Sequence, residues 1–399
     1  MAAQSPQHLR EAFDLFDTNK DGTISRDEFV AALVRKVPGR DNPITADEAH
    51  KEFDALDVNS DGVLSYEEFV QRWYSISPHL KLGISIDGIY HWLEVVCKGF
   101  SGLTSEEAMV AHFNDTYIKP KNEKRRMEGK GEFPQSKTFN GYINQHYLGA
   151  YCKTRSESKH VSYCELTCKE HVRSAADAGV SDGANEQADR AGGKHIGTAN
   201  VFVSWYLDTP MSTLLSGLES YLVLHGRPRE TTFFWICDFV IRQTDVGPDL
   251  EQLGACVEHV GQTALLATPY DAPGPLKRAY CVKELYYTAQ TAEKKGTKNL
   301  DLAMPPKDET LFRAKLNHHR GRMAIHESFQ AVDVMHAQCM NVDEQNKILE
   351  SISKLKGGAE GLNKTVRNLL LDQMGTKHLG EVGAKNTAEA LKGSRLTAL

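Results

Sequence analysis

Apolar side chains near the start of the chain follow a helical spacing that returns forty residues later. Leu9, Phe13 and Phe16 stand at i, i+4 and i+7, which places them on one face of an α-helix. The segment 49–56 repeats that spacing, and each copy is followed by a polar stretch and a further apolar run. The pattern therefore predicts two helix–loop–helix units.

The two polar stretches, residues 17–28 and 57–68, carry oxygen-bearing side chains at the positions of a calcium-binding loop. Calcium takes six to eight oxygen ligands in a flexible shell. Positions one, three and five are carboxylates or amides, position six is glycine where the chain turns sharply, and position twelve is a glutamate. Position seven offers its backbone carbonyl, and position nine a hydroxyl that holds a bridging water. The predicted ligands of two calcium ions are Asp17, Asn19, Asp21, Thr23, Ser25 and Glu28, and Asp57, Asn59, Asp61, Val63, Ser65 and Glu68.

With these ligand positions and flanking helices, residues 1–77 resemble the EF-hand calcium-binding family, with no departure at any ligand position. The resemblance implies one paired lobe whose loops meet in a short backbone bridge at position eight, between Ile24 and Leu64. Calcium is then expected to open the lobe. The groove so exposed would be lined by Phe16, Phe29, Phe53, Phe69 and Trp73.

From residue 198 the pattern changes to short apolar runs alternating with amphipathic segments. Such a pattern predicts a parallel sheet with helices on its faces, and ligand chemistry gathers at the carboxyl ends of the strands in these sheets. The turns that follow the first three strands are therefore the expected site. The predicted strands are 199–205, 232–239, 263–267 and 299–304, with helices at 212–225, 248–260 and 276–292, and turns at 205–210, 239–247 and 268–275.

Three segments carry a second resemblance: VFVSWY at 201–206, FFWICDFVIRQ at 233–243 and RAYCVKELY at 278–286. They resemble the TIR-like proteins and their heterokaryon-incompatibility relatives, which implies a flavodoxin-like parallel-sheet domain at residues 198–305. In plant-type TIR domains the glutamate of the third segment is the catalytic residue of NAD hydrolysis, and Glu284 stands in its place. A fixed carboxylate beside the ribose can stabilise the cation that develops as the glycosidic bond breaks.

The same segments depart from that family at three places. Trp205 stands where relatives have histidine, Cys237 where they have aspartate, and Arg242 where they have asparagine. Asp238 is one position along, and on a strand it would face the other side of the sheet. These changes predict an altered or absent active site, and they favour a scaffold over an enzyme. An exposed helical glutamate is the other interpretation of Glu284.

The remaining segments are predicted to be mostly helical. Residues 78–197 read as a helical connector with polar loops, and residues 306–375 as helices packed on the α/β domain. The tail, 376–399, is polar and is expected to be loosely held. In the connector we predict helices at 84–97 and 105–117, a charged solvated loop at 119–137 and a mobile linker at 178–197; after it, helices at 309–340, 344–356 and 361–374.

Histidine and cysteine residues offer two alternative metal sites, and core or surface roles are favoured for both. One helix could align His160, Cys164, Cys168 and His171 for zinc, but the two cysteines also belong to an apolar stripe at helical spacing. The second set lacks supporting carboxylates and comprises His318, His319, His326, His336 and Cys339. The basic stretch at 119–137 has a docking site for an acidic partner or anionic lipid as its alternative interpretation.

Charge and composition narrow the class of protein. The net charge of the 399 residues is −6, and residues 1–77 account for −7, so the acidity belongs to the calcium lobe. No basic stripe with interleaved aromatics appears, which argues against a nucleic-acid binder. No apolar run has the length of a signal peptide or of a membrane span. The eight scattered cysteines are typical of reduced thiols, and the expected location is the cytoplasm.

Three functions compete for these features. The favoured one is a calcium-responsive signalling sensor or adaptor, in which the paired lobe regulates or scaffolds the TIR-like domain and binds a partner protein or a helix of the same chain. The second is a calcium-gated NAD hydrolase (an NAD nucleosidase) that uses Glu284. The third is a structural component of a cytoskeletal or ciliary assembly. The oligomeric state stays open.

Overall fold

The computed structural model describes residues 10, 13–34, 45–57, 62–66, 69, 76–156, 160–177, 195–339, 342–353, 355 and 357–378. The chain divides into two compact units. The first, which we call the lobe, is Met1–Ser77 with Leu250–Ala255. The second, which we call the body, is Pro78–Asp249 with Cys256–Leu399.

The lobe contains two short strands and the helices beside them. Strand β1 pairs antiparallel with β2, with Ile24 opposite Leu64, which confirms the predicted bridge between the two loops. Helix α2 begins at a capping box in which Thr45 and Glu48 bond reciprocally to each other's backbone N–H. The elements are β1 (Ile24–Ser25), α1 (Arg26–Val34), α2 (Ala46–Leu56) and β2 (Val63–Leu64).

Aromatic rings fill the core of the lobe. Phe29 packs edge-on against Phe53 with ring centroids 5.7 Å apart, and Phe16 lies 5.3 Å from Phe69. The buried members are Phe13, Ile24, Phe29, Phe53, Leu56, Leu64 and Phe69. Four of the five residues predicted to line a groove therefore pack against one another in this state, and Trp73 lies outside the described residues.

A six-stranded sheet forms the centre of the body. Its order is β4-β3-β6-β5-β7-β8, and the four strands from β6 to β8 are parallel. Strand β3 runs antiparallel to both of its neighbours. The strands are β3 (Leu82–Ile84), β4 (Ile196–Thr198), β5 (Val201–Ser204), β6 (Phe234–Trp235), β7 (Thr263–Leu266) and β8 (Leu300–Ala303).

The sheet is thus mixed, and the prediction of a purely parallel sheet was wrong. Strands β3 and β4 come from residues predicted to be helical or linker, and each has only three residues. A run of three residues is too short to show a period, so the pairing partner decides its conformation. The predicted second strand is also shorter, because the chain leaves β6 at Ile236 and begins a helical turn at Cys237.

Helices precede and follow these strands along the chain, and β5 and β7 are buried along their whole length. Two π-helical segments, Trp92–Cys97 and Asn114–Ile118, join α3 to α4 and α5 to α6 without a break. These helices are α3 (Ile86–His91), α4 (Lys98–Ser101), α5 (Glu106–Phe113), α6 (Lys119–Met127), α7 (Gly141–Arg155), α8 (Tyr163–Asp177), α9 (Met211–Leu224), α10 (Cys237–Val240), α11 (Gly247–Glu251), α12 (Leu253–Val260) and α13 (Ala279–Lys295).

The final helices are α14 (Pro306–Leu316), α15 (His319–Gln330), α16 (Val342–Ser353) and α17 (Gly358–His378). Their apolar faces pack with α13 and with β7 and β8 in one buried cluster, which includes Phe312, Phe329, Val366 and Leu370. Among the described residues, none of the helices combines the length and the apolar character needed to span a bilayer.

Two of the predicted helical boundaries need correction. The charged segment 119–137 was predicted to be a loop, but α6 extends through Met127, because it continues the helix that begins with α5. The single helix predicted at 309–340 is interrupted at Asn317, where α14 ends. Gly321 then lies so close to Lys315 that a Cβ there would clash with the Lys315 carbonyl oxygen. The turn between α14 and α15 therefore needs glycine at position 321.

Candidate functional site

The first loop of the lobe is held together by hydrogen bonds to its own carboxylates. Asp17 accepts from the backbone N–H groups of Asp21 and Gly22, at 3.1 and 2.9 Å. Asp21 accepts from the N–H of Thr23 at 2.8 Å. Gly22 has φ of +89°, a conformation that glycine adopts without strain. The sharp turn predicted at position six is present.

Glu28, the predicted two-oxygen ligand, joins the two ends of this loop. One of its oxygens accepts from the N–H of Thr18 at 2.9 Å, and the other accepts from the Ser25 N–H at 2.9 Å and its hydroxyl at 2.7 Å. Hydrogen bonding, led by the Ser25 hydroxyl, lowers the pKa of Glu28 to about 2. The carboxylate is therefore ionised at neutral pH, as a calcium ligand must be.

These oxygens fit calcium chemically, although they are bonded to the loop itself. Within the described residues, no three His, Cys, Asp or Glu side chains converge on a point where a metal ion would sit. A calcium ion held by Glu28 would take the place of the hydrogen bonds that its two oxygens accept from the loop. In the second loop Gly62 has φ of +87° and its N–H donates to Asp57 at 2.9 Å, as Gly22 does to Asp17. The predicted ligands Asn59, Asp61 and Glu68 lie outside the described residues.

In the body, the strand order places a candidate site between β5 and β7. The chain passes from β5 to β6 on one side and then returns to β7 on the other. This reversal is a topological switch point, and open α/β sheets bind ligands at the carboxyl ends of the strands there. Ser204 is the last residue of β5, and its hydroxyl donates to the Glu284 carboxylate at 2.6 Å.

Glu284 is therefore a buried residue, contrary to its interpretation as an exposed helical glutamate. Only 8% of its surface is exposed. Burial raises its pKa to about 7, while the Ser204 hydrogen bond and the charge of Arg278 act in the opposite direction. Beside it, the Cys281 thiol donates to the Trp205 carbonyl at 3.3 Å. The structure thus brings together residues from the first and third TIR-like segments.

Asp238, from the second TIR-like segment, is buried in contact with helix α7. It sits on the helical turn α10 rather than on a strand, so it does not face away as predicted. Asn144 and Gln145 donate to its two oxygens at 3.0 and 2.9 Å. Burial raises its pKa to about 6, and these hydrogen bonds partly oppose that shift. Sequence reasoning missed α7 as part of this site.

Of the other two departures from the TIR-like pattern at these segments, Arg242 has hydrogen-bond partners, and Trp205 is buried without one for its indole among the described residues. Arg242 forms a bidentate pair with Glu165 at 2.9 Å, and its N–H donates to Asp249. Gln243 donates to three backbone carbonyls, which closes the turn after α10. Trp205 is buried, and its indole N–H has no hydrogen-bond partner among the described residues. Arg242 is therefore a structural residue.

The stability of the body should depend on pH through Glu284. Because the folded protein holds the Glu284 proton up to a pH of about 7, against an ordinary pKa of 4.5, the wild type loses stability as the pH rises through that window. Glu284→Gln has no such proton. Its unfolding free energy, relative to wild type, should rise by roughly 1–3 kcal/mol between about pH 5 and about pH 8.

Urea unfolding at both pH values measures this difference. Glu293→Gln is the matched control, because it removes an exposed carboxylate from the same helix. A Glu284→Gln variant whose relative stability falls as the pH rises would contradict a buried, protonated Glu284.

The alternative zinc sites gain no support. Cys164 is fully buried, as expected for the apolar stripe, and His160 lies 3.2 Å from the Thr244 hydroxyl. The side chain of His171 is outside the described positions. His336 pairs with Asp333 at 2.6 Å on the surface.

Comparison with known proteins identifies one part of the chain. Residues 6–74 match the sequence model of the EF-hand domain pair, which confirms the resemblance over that segment and supports calcium binding there. No curated protein and no solved structure matches the chain. The resemblance of residues 198–305 to TIR-like proteins stays a prediction.

Proposed function

We propose that this protein is a calcium-responsive sensor or adaptor, in which the EF-hand pair regulates or scaffolds the body. The observation that carries the proposal is that the two loops of the lobe are paired and its aromatic rings are buried. Its two loops are coupled through Ile24 and Leu64, and the rings of Phe29, Phe53 and Phe69 are packed inside. A sensor lobe of this kind stores apolar surface that calcium exposes.

The exchange of hydrogen bonds at Glu28 links binding to opening. When Glu28 turns from the loop backbone to a bound ion, it pulls on α1, which begins two residues before it and carries Phe29. Phe29 packs against Phe16 and Phe53, so movement of α1 separates rings that belong to different helices of the lobe. The surface released would bind an amphipathic helix, from a partner protein or from this chain.

A calcium titration of the full-length protein tests the proposal. Two sites with affinities on the order of 10⁻⁷–10⁻⁵ M are expected by calorimetry. The fluorescence of an apolar dye such as ANS should rise over the same calcium range. Binding without any rise in dye fluorescence would indicate a calcium buffer and overturn the sensor proposal. Magnesium at millimolar concentration is the control ion, and it should bind without the dye response.

A second candidate, NAD hydrolysis, is favoured by one observation. Glu284 and Ser204 meet at the switch point of the sheet, with the charge of Arg278 nearby. A buried carboxylate in that position could orient the ribose hydroxyls of NAD and stabilise positive charge on the sugar. Residues of this chain would then bind and orient the substrate, while water attacks the ribose.

Release of nicotinamide from NAD, with calcium and with chelator, tests this candidate. Turnover that depends on calcium and disappears in Glu284→Ala would establish an enzyme with an EF-hand switch. Absence of turnover in both conditions would reject the candidate and leave the sensor proposal unaffected, because that proposal is measured by binding and dye fluorescence.

A further inference from the structure

The first turn of helix α7 lies against the carboxyl ends of β5 and β6. Gly141 packs so closely on Trp205 and Leu207 that a Cβ at this position would lie 2.7 Å from each side chain. The backbone N–H of Met211 donates to the Phe139 carbonyl at 2.9 Å, just ahead of the helix. The helix is therefore in direct contact with the loop that follows β5.

Side chains of this turn bond to the three segments that follow β5, β6 and β7, and we call the carboxyl ends of these strands with those segments the ligand edge. Asn140 donates to Asp208 at 3.0 Å in the loop after β5, and the Tyr142 hydroxyl accepts from Arg278 at 2.6 Å at the start of α13. The turn after β6 is bonded twice, because both amides at 144 and 145 donate to its aspartate, Asp238. Each of these three charged groups thus has a neutral partner in the first turn of α7 or at its cap.

The polar side chains between α7 and the strand ends are shielded from solvent. Ser204 and Asp238 are fully buried, and Glu284 is nearly so. One donor is left over, since the buried Trp205 indole N–H has no partner among the described residues. An unmade buried hydrogen bond is costly. Helix α7 therefore satisfies charged groups of the edge without satisfying every polar group there.

We propose that α7 is an intramolecular cover that holds the ligand edge of the parallel strands shut, fastened by the pair of Asn144 and Asp238. A ligand that displaces α7 must replace the hydrogen bonds that the helix makes to Asp238 and Arg278. It must offer N–H donors to Asp238 and an oxygen acceptor to Arg278, as a molecule with an amide or amino group and a hydroxyl or phosphate does. The inference is independent of calcium binding and of catalysis by Glu284.

A negative charge introduced at position 144, opposite Asp238, tests whether this pair holds α7 in place. In Asn144→Asp, an oxygen replaces the amide that faces Asp238, so two carboxylates meet in a buried site. The other side-chain oxygen is kept, which preserves the acceptor for the Trp92 indole N–H at 2.7 Å. The neutral amide donor is thereby lost, and the two carboxylates can stay in contact only by taking up a proton, while the packing of α7 on its other side is retained.

The double variant Asn144→Asp with Asp238→Asn restores the pair with its polarity exchanged. The amide introduced at position 238 can donate to the carboxylate introduced at position 144, and its carbonyl can still accept from Gln145. Lys153→Ala, at an exposed position near the end of α7, is the control for changes in the helix itself.

Alkylation of cysteines by iodoacetamide at about pH 8, mapped by mass spectrometry in the full chain, reports on opening. Cys281 lies at the covered edge, and Cys256 is buried on α12, which shares no hydrogen bond with α7 among the described residues, and reports on global unfolding. In Asn144→Asp we expect labelling of Cys281 to be about tenfold faster, with Cys256 unchanged. The double variant should return to within about twofold of wild type.

Two results would overturn the proposal. Equal acceleration of Cys281 and Cys256 would show that α7 leaves only when the body unfolds, and an unchanged Cys281 in both Asn144→Asp and Tyr142→Phe would show that these contacts do not hold α7 in place. Tyr142→Phe tests the cover through its other charged contact, also if Asn144→Asp does not fold, since it removes only the hydroxyl that accepts from Arg278. A severalfold faster Cys281 with constant Cys256 is then the expected result.

Discussion

Glu28→Gln combined with Glu68→Gln is expected to abolish the calcium response of the protein. Glutamine has one neutral oxygen where glutamate supplies two charged ones, so each loop loses its two-oxygen ligand. The affinity should fall from the range of 10⁻⁷–10⁻⁵ M to about 10⁻³ M or weaker. Calorimetry measures the binding, and the dye response should vanish with it.

The matched control removes the same charges one residue earlier, in Asp27→Asn with Glu67→Gln. Asp27 is exposed on α1 and is not a predicted ligand, so this variant separates ligand loss from a general reduction of negative charge. Its affinity should stay within about threefold of wild type, because exposed charges act weakly through water. A calcium-dependent change of shape in the Glu28→Gln and Glu68→Gln variant would contradict the sensor proposal.

Phe312→Ala should cost the body about 3–5 kcal/mol of unfolding free energy. The ring is fully buried in the cluster that joins α14 to α13, α17 and the sheet. Its removal loses the transfer free energy of the ring and leaves a cavity that these packed elements cannot fill. Urea unfolding followed by tryptophan fluorescence, with calcium held constant, measures the loss.

The neighbouring residue supplies the control. Leu311 lies on the same helix with 39% of its surface exposed, so Leu311→Ala should cost less than about 1 kcal/mol. Equal losses at the two positions would show that α14 does not pack on the cluster through the face that contains Phe312.

The lobe and the parallel strands could be predicted because their signals are local. Each calcium loop is specified by twelve consecutive residues, and the bridge between Ile24 and Leu64 follows from their equal positions in the two repeats. The apolar runs that became β5, β7 and β8 are bounded by helices with clear periodicity. In these segments the residues that determine the structure are close together in the chain.

Contacts between distant residues could not be predicted. The cap at Asn140 and the helical spacing of Ile143, Tyr147 and Tyr151 could have indicated α7. Nothing local indicates that Asn144 meets Asp238, which is 94 residues away. The contact between Glu284 and Ser204 likewise joins residues that are 80 positions apart. A residue's environment, and with it the pKa of its side chain, is set by the tertiary fold.

The antiparallel strand β3 has a consequence for how the protein can be divided. It pairs with β6 through Ile84 and Phe234, and the Trp235 indole N–H donates to the Leu80 carbonyl at 2.9 Å. A fragment limited to residues 198–305 would leave β6 as an open edge, with unpaired backbone groups and an uncovered indole. Open apolar edges pair with other chains. Such a fragment is expected to aggregate, and a soluble piece of the body must begin near residue 78.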